Sequence, residues 1–357
     1  MQWVKKSWRW LVALCIWLGI LFAWPIVFDT QLPVVKPPAS TKTKPRLTHP
    51  QNQMLSTAGP AKLIQRPVAD LIENYGQPIK QLDNGAETTR WLFHVDSQQY
   101  LEATIDQQTN RVEQLVLLGQ DQSIAPFKYQ QTLNQVTRKM TLAANFEVKL
   151  HEQTFQIELN EQQQKQYPLV AFKNGTYAIL VMTDGHLSTV IYLDANALLQ
   201  TDLYRVISMT PIPVSDNSVT DASQNQQAIL QQYVQTQRLN QQQPLLTVES
   251  LPVDSAFMQQ FKAKPARWLT KQGQQRFRQI KQATTDNRYL TTRDFKRGLW
   301  PALGLAPTSH LFIWPNQLGT KQLVLNRQTA LQSVIKQPDL QHMRLTNING
   351  HTILVLE

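Results

Sequence analysis

The sequence predicts an α+β protein tied to a membrane by an N-terminal transmembrane helix. Three observations carry this. An almost uncharged run, Trp10–Phe28, follows Lys5, Lys6 and Arg9. From Leu63 onward, helical spacings are followed by runs of period two between turn signals. Two polar stretches, residues 29–62 and 214–225, divide the chain.

Trp10–Phe28 spans 19 residues, about 28 Å of helix, close to the thickness of a hydrocarbon core. The cations precede it, so the N-terminus is expected in the cytoplasm and the remainder outside. A cleaved signal peptide has a shorter apolar core and a small-x-small site. Asp29–Val35 offers no such site, so residues 1–28 read as a cytoplasmic stub and an uncleaved single-pass anchor. Cys15 follows Leu14, where a lipoprotein signal needs a small residue. Trp3, Trp8, Trp10 and Trp24 lie toward the ends of the span, where indole rings favour the interface. The expected location is therefore the cell membrane, with the globular part extracellular.

Cys15 is the only cysteine of the 357 residues. The exported part has no disulfide, thiol nucleophile or cysteine metal site. That suits a bacterial envelope protein large enough to be held by its core, and the Gln runs suit a Gram-positive surface. Charge is unevenly placed. Residues 1–50 carry +6, residues 64–225 carry −7 and residues 226–357 carry +10. The global +10 hides an acidic middle and a basic end.

Residues 29–62 hold Pro33, Pro37, Pro38, Pro45, Pro50 and Pro60 and read as an extended linker. A first unit opens at residue 63. Val68, Leu71 and Ile72 have helical spacing, and Gly76-Gln77-Pro78 ends that helix. Strands are expected at Thr89–Val95, Tyr100–Ile105 and Val112–Leu118, with turns at Asp96-Ser97 and Asp106-Gln107. A second unit follows, with a helix over Gln131–Ala144 and hairpins over Phe146–Leu159 and Tyr177–Leu193. Asp184-Gly185 is the turn of the latter. Asn174-Gly175 is a further turn. After the 214–225 linker, Ala228, Leu230, Tyr233, Val234 and Leu239 predict an amphipathic helix. Leu251–Phe261 predicts another. Strands are expected at Leu311–Trp314, Gln322–Leu325, His342–Asn347 and Thr352–Leu356, the last two joined by Asn349-Gly350.

The middle region resembles the N-terminal domain found beside CAP (SCP-like) domains in Firmicute surface proteins. Leu71-Ile72-Glu73-Asn74-Tyr75-Gly76-Gln77-Pro78 resembles that domain's helix and Gly-x-Pro turn. Tyr167–Val170 with Tyr177–Leu180 resembles its second strand entry. Val190–Asp194, Leu198, Leu199 and Tyr204 resemble its closing strand and exit. The resemblance covers residues 63–213 and implies an α+β domain of two helix-plus-antiparallel-sheet units. It continues into residues 226–357, where Gln235–Arg238 and Pro244-Leu245 occupy the places of an Asn-x-x-Arg pattern and its Pro-Leu dipeptide. This implies a CAP-like α/β/α sandwich. Many CAP domains hold a metal cleft of two His and two acidic residues. The Ser-His that should follow the second helix is missing, since Phe261–Trp268 has no His. No Gly-Glu-Asn occurs, and Gly350-His351 falls in the predicted terminal hairpin rather than before the central strands, which implies a degenerate domain with no metal or other cofactor.

His310, His342 and His351 are the remaining candidates for a zinc site or a hydrolytic cleft. None has i,i+4 spacing. No phosphate loop is present. The strongest chemical feature is a basic stretch. Lys262, Lys264, Arg267, Lys271, Arg276, Arg278, Lys281, Arg288, Arg293, Lys296 and Arg297 face only Asp286 and Asp294, +9 over 36 residues. Trp268, Phe277 and Tyr289 are interleaved with them. Such a surface attracts polyanions. Outside a cell these are anionic wall polymers or lipid headgroups; nucleic acid fits the physics and not the compartment. The bland alternatives are a solvated face, or one paired with the acidic middle region.

The sequence thus points to a non-catalytic, membrane-anchored surface protein that binds or scaffolds at the envelope. The acidic middle would be structural or meet a protein partner. The alternative is an envelope hydrolase acting on protein or peptidoglycan through the CAP-like cleft.

Overall fold

A computed structural model describes residues 53–83, 87–95, 99–119, 123–201, 203–207, 223–253, 255–282, 289–314, 329–348 and 351–357. The expected anchor, the linker up to residue 52, the strand Gln322–Leu325 and the turns Asp96-Ser97 and Asn349-Gly350 lie outside these residues. So do residues 214–222 of the second linker. Among the described residues no helix is long and apolar enough to cross a membrane.

Helix α1 (Val68–Tyr75) buries Val68 and Leu71, and Gly76 ends it by donating to the Ile72 carbonyl at 2.8 Å. Strands β1 (Lys80–Asp83), β2 (Thr88–Val95), β3 (Tyr100–Asp106) and β4 (Arg111–Leu118) form an antiparallel meander. The long helix expected over 131–144 is only α2 (Leu133–Thr137), fixed by a Thr132–Gln135 capping box. Hairpin β5 (Asn145–Leu150) and β6 (Gln153–Glu158) follows, then α3 (Glu161–Gln166) and β7 (Leu169–Ala171). Hairpin β8 (Tyr177–Thr183) and β9 (His186–Leu193) turns on Asp184 and Gly185, both at positive φ (51° and 80°). That is the geometry a two-residue primed turn requires. Helix α4 (Ala195–Leu199) and β10 (Arg205–Ile207) close the region.

The two expected units are not separate sheets. β4 pairs antiparallel with β9, giving one seven-stranded sheet in the order β1-β2-β3-β4-β9-β8-β7. β5 and β6 leave it and pair with β10. Both faces of the large sheet are covered, so its central strands carry continuous apolar runs such as Leu115–Leu118 and Val190–Leu193. In β4, Val116 and Leu118 face one core while Leu115 and Leu117 face another. Residues 53–62, the end of the expected linker, are packed as well. Leu55 donates to Ala171 O and accepts from Lys173 N, both at 2.9 Å, and Ala61 is fully buried.

The C-terminal region begins with α5 (Ser223–Asn240) and β11 (Thr247–Ser250). Then come α6 (Ser255–Ala263), α7 (Pro265–Trp268), α8 (Lys271–Gln282), α9 (Leu299–Ala302), β12 (His310–Trp314), α10 (Thr329–Ile335), β13 (His342–Ile348) and β14 (His351–Leu356). The sheet order is β11-β13-β14-β12, with β11 parallel to β13. Its two faces bury different sets. Phe312, Trp314, Met343, Leu345, Leu354 and Leu356 meet Leu230, Tyr233 and Val234 of α5 and Leu331 of α10. Leu311, Ile313, Ile353 and Val355 meet Met258, Phe261, Phe277 and Ile280 of α6 and α8. This is the expected α/β/α sandwich. Its first apolar cluster is continuous with that of the middle region through Tyr167, Tyr204 and Tyr233.

Helix α5 is unusual because its polar residues are also buried: Gln232, Gln235, Thr236, Gln237 and Arg238 are each at most 8% exposed. Arg238 is fully buried and donates to four backbone carbonyls, with the Asp339 charge nearby. Nε donates to Pro244 O (2.7 Å), Nη1 to Ile335 O and Gln337 O (both 2.9 Å), and Nη2 to Leu340 O (3.3 Å). It therefore caps α10, 97 residues away, through carbonyls that the helix cannot satisfy itself. Gln235 stands where the family pattern has Asn. Its amide brackets Leu246, donating to Leu246 O (2.8 Å) and accepting from Leu246 N (3.0 Å).

Two outcomes are expected. Arg238→Ala should cost about 3 kcal/mol or more in urea unfolding, because several buried carbonyls lose their donor. Arg238→Lys should recover less than half, having one nitrogen for four acceptors. Asp194, the N-cap of α4, receives Ala197 N at 2.8 Å, yet burial pushes its pKa up to about 6. Its folded value lies above its unfolded one, so the carboxylate weakens the fold above pH 6 and the penalty vanishes as pH falls toward 4. Asp194→Asn keeps the cap. It should raise the melting temperature at pH 8, by up to ~2 kcal/mol of stability, and change little at pH 4.

Candidate functional site

The basic stretch does not run as one line. It folds back so that residues 293–297 lie beside 266–271. Lys296 donates from Nζ to Ala266 O (2.6 Å) and from its backbone to Trp268 O (2.7 Å). Thr270 N donates to Asp294 O (2.9 Å), and Leu269 bridges Phe295. The approach is possible because residue 273 is glycine: a Cβ there would lie 2.2 Å from the Asp294 carbonyl oxygen.

Of the interleaved aromatics, Trp268 and Phe277 are core rather than stacking platforms, whereas Tyr289 is half-buried. Trp268, Phe277 and Trp300 are buried in one cluster beneath the cations. Lys264, Arg267, Lys271, Arg278, Arg293, Lys296 and Arg297 are exposed, and Lys262 and Arg276 are half-buried. Lys271 and Arg278 sit two turns apart on the outer side of α8, opposite Phe277 and Ile280. Arg267 lies over the Trp268 ring, 4.6 Å from its centroid. Lys281 falls in the last turn of α8, but its side chain is outside the described residues, as is all of Arg288. Asp286 also lies outside them. Asp294 is buried and occupied: Oδ2 accepts from Arg276 Nη1 (2.8 Å), Thr291 N (2.8 Å) and Thr291 Oγ1 (3.1 Å).

Among the described residues, no carboxylate of the acidic middle region pairs with the exposed cations of this face. The ion pairs of its carboxylates are mostly internal: Arg66–Asp70, Lys149–Glu147, Lys165–Glu161 and Arg205–Glu158. Asp184 pairs with Lys336, outside the stretch. Among the described residues, Lys264, Arg267, Lys271, Arg278, Arg293, Lys296 and Arg297 have no carboxylate partner.

Beside the face, a cleft of ≈ 870 Å³ opens at the β12 edge. Arg276 and Arg293 line it with His310, Tyr289, Phe312 and Gln337. His310 Nε2 lies 3.1 Å from Gln337 Oε1. Only His310 of the three C-terminal histidines reaches this cleft. It shares a sheet face with Met343 and Leu356, its register partners across β14. Pleat parity puts His342 and His351 on the other face, at opposite ends of the β13–β14 hairpin. His342 Nδ1 lies 3.1 Å from Glu249 Oε1, whose pKa Arg344 holds below the usual carboxylate range. The buried Ser309 in the same row donates instead to Glu357, at 2.6 Å. The imidazoles therefore do not converge. Among the described residues no three His, Cys, Asp or Glu side chains gather, and Asp294 is already held by Arg276.

Comparisons with known proteins place this architecture. Residues 64–204 match the family described as CAP-associated N-terminal. The fold is similar to that of a cysteine-rich secretory protein from Staphylococcus aureus subsp. aureus Mu50, at 13% identity and a TM-score of 0.64, over 85% of this chain and 97% of that one. It is also similar to an extracellular protein containing a SCP domain from Bacillus anthracis str. Ames, at 14% identity and a TM-score of 0.61, over 86% and 98% of the two chains. A search of curated proteins found no match. Residues 64–204 thus match a CAP-associated N-terminal domain, and the fold of the chain is similar to those of these two solved proteins.

Gly273→Ala is expected to destabilise by about 2 kcal/mol even though alanine is the better helix former, because the clash is with backbone and cannot relax cheaply. A thermal melt against the wild type checks this; equal or higher stability would mean that α8 and residues 292–294 can move apart.

Proposed function

We propose that this chain is a non-catalytic surface protein that holds anionic envelope polymer through its C-terminal cationic face. The observation that supports the reading is the set of seven exposed cations that two backbone segments bring together and that no carboxylate of the described residues neutralises. Such a field binds phosphate-rich chains by releasing their counterions, and its strength falls as salt shortens the screening length. The N-terminal segment Trp10–Phe28 would place this face outside a membrane, within reach of wall polymer or of lipid headgroups. The acidic middle region, packed against α5, would set the orientation of the face and could present carboxylates to a protein partner. The hydrolase alternative draws no support from the histidines, which lie on different faces of the sheet.

The test is sedimentation of the full-length chain, in neutral detergent, with purified Gram-positive walls. Binding should fall by at least tenfold between low salt and ~0.5 M salt, and on removal of the anionic polymers. Lys264→Gln with Lys271→Gln should weaken it severalfold. Binding that ignores salt, polymer removal and the double variant would rule the mechanism out.

A further inference from the structure

We infer that the cleft at the β12 edge is a pocket for a phosphate ester of a polyol or sugar, so that the protein seats one unit of the polymer as well as holding its charge. This rests on the reading of the cationic face; Arg293 belongs to both, and the rest of the cleft lining is separate from that face.

The volume, ≈ 870 Å³, falls within the range of small-molecule pockets, about 300–1,000 Å³. Its charge is positive. Arg293 has no partner among the described residues, and Arg276 is held in place by Asp294. The single carboxylate is 1% exposed and accepts three hydrogen bonds, so it does not offer a seat to a cation. A guanidinium fork matches the oxygens of a phosphate. Because Asp294 already orients Arg276, little of that side chain's freedom remains to be lost on binding.

The remaining lining suits the organic part of the ester. Tyr289 stacks on Trp314 at 5.2 Å and 22°, and lies 6.0 Å from Phe312. This gives a fixed aromatic wall for the C–H face of a sugar or polyol. Gln337 accepts from His310 through Oε1, which leaves its amide N–H groups for a hydroxyl. Its backbone is pinned by Arg238 at 2.9 Å. Ser333 and Gln272 add polar groups at the rim. A patch that only attracted polyanions would need neither the concavity nor the aromatic wall.

Isothermal titration of the full-length chain in neutral detergent tests this, with ribitol 5-phosphate, glycerol 1-phosphate, ribitol and inorganic phosphate as probes. A phosphate ester should bind saturably at one site. Ribitol should bind at least tenfold more weakly for want of charge, and inorganic phosphate at least tenfold more weakly because it leaves the aromatic wall bare. Arg293→Gln should weaken the ester at least tenfold. Ser333→Trp, placed at the exposed rim, should block it. A short-chain phosphatidylglycerol that binds like glycerol 1-phosphate identifies a lipid headgroup as the source; its exclusion identifies wall polymer. Lys264→Gln with Lys271→Gln should leave the titration unchanged while weakening sedimentation with walls. Absence of saturable binding, or equal affinity for ester and inorganic phosphate, overturns the pocket. Equal affinity in Arg293→Gln and wild type does so too. In each case salt-sensitive wall binding would leave the cationic face standing.

Discussion

The Arg238 guanidinium is the interaction on which the C-terminal region depends. It joins the loop after α5, the end of α10 and the approach to β13 by four donations to backbone carbonyls. A buried cation is expensive unless dipoles replace its hydration, and here the C-terminal carbonyls of α10 supply them. The same contact fixes the backbone of Gln337, which meets His310 in the cleft. One buried charge therefore sets the layer of helices on one sheet face and the geometry of the pocket beside it.

The burial of residues 232–238 of α5 on all sides explains why the middle and C-terminal regions share an apolar cluster. A helix rich in glutamine would ordinarily face water. Here Gln235 satisfies both its amide groups on Leu246, and Gln130 from the middle region reaches Asn240 O at 3.3 Å. Buried amides that are hydrogen-bonded cost little, and they specify register because few other arrangements satisfy them.

The cationic face owes its charge to the opposite circumstance. Its cations sit outside an aromatic core, on short helices too small to carry their own counter-charges. Among the described residues the carboxylate beside them, Asp294, is used to bind residues 291–294 to α8. In the middle region, Asp70, Glu147, Glu158 and Glu161 form ion pairs with that region's own cations. Charge separation along the chain is thereby kept as charge separation in the fold. A metal centre or a triad would need the reverse arrangement, with acids free and imidazoles gathered.

Local chemistry made part of this legible without a structure. The hairpin of β8 and β9 follows from Asp184-Gly185, and β2 to β4 follow from alternation between turns, because a turn and a period are properties of adjacent residues. The α5 helix was legible from Leu230, Tyr233 and Val234, and the basic stretch from composition alone. Short β1, β7, β10 and β11 were not legible, since four residues or fewer become strand only when a neighbour offers its edge. Nor was the fusion of two units into one sheet, which rests on β4 meeting β9 across more than 70 residues of sequence. Sequence supplied His310, His342 and His351 as candidates; pleat parity put His310 on one face, and the length of the β13–β14 hairpin separates His342 from His351 on the other. The cleft likewise exists only because Gly273 lets Asp294 approach α8. The sequence by itself determined which residues are charged, which runs are apolar and where the chain turns. Tertiary structure decided which charges remain unpaired and which side chains meet, because those depend on contacts between segments that no local pattern encodes.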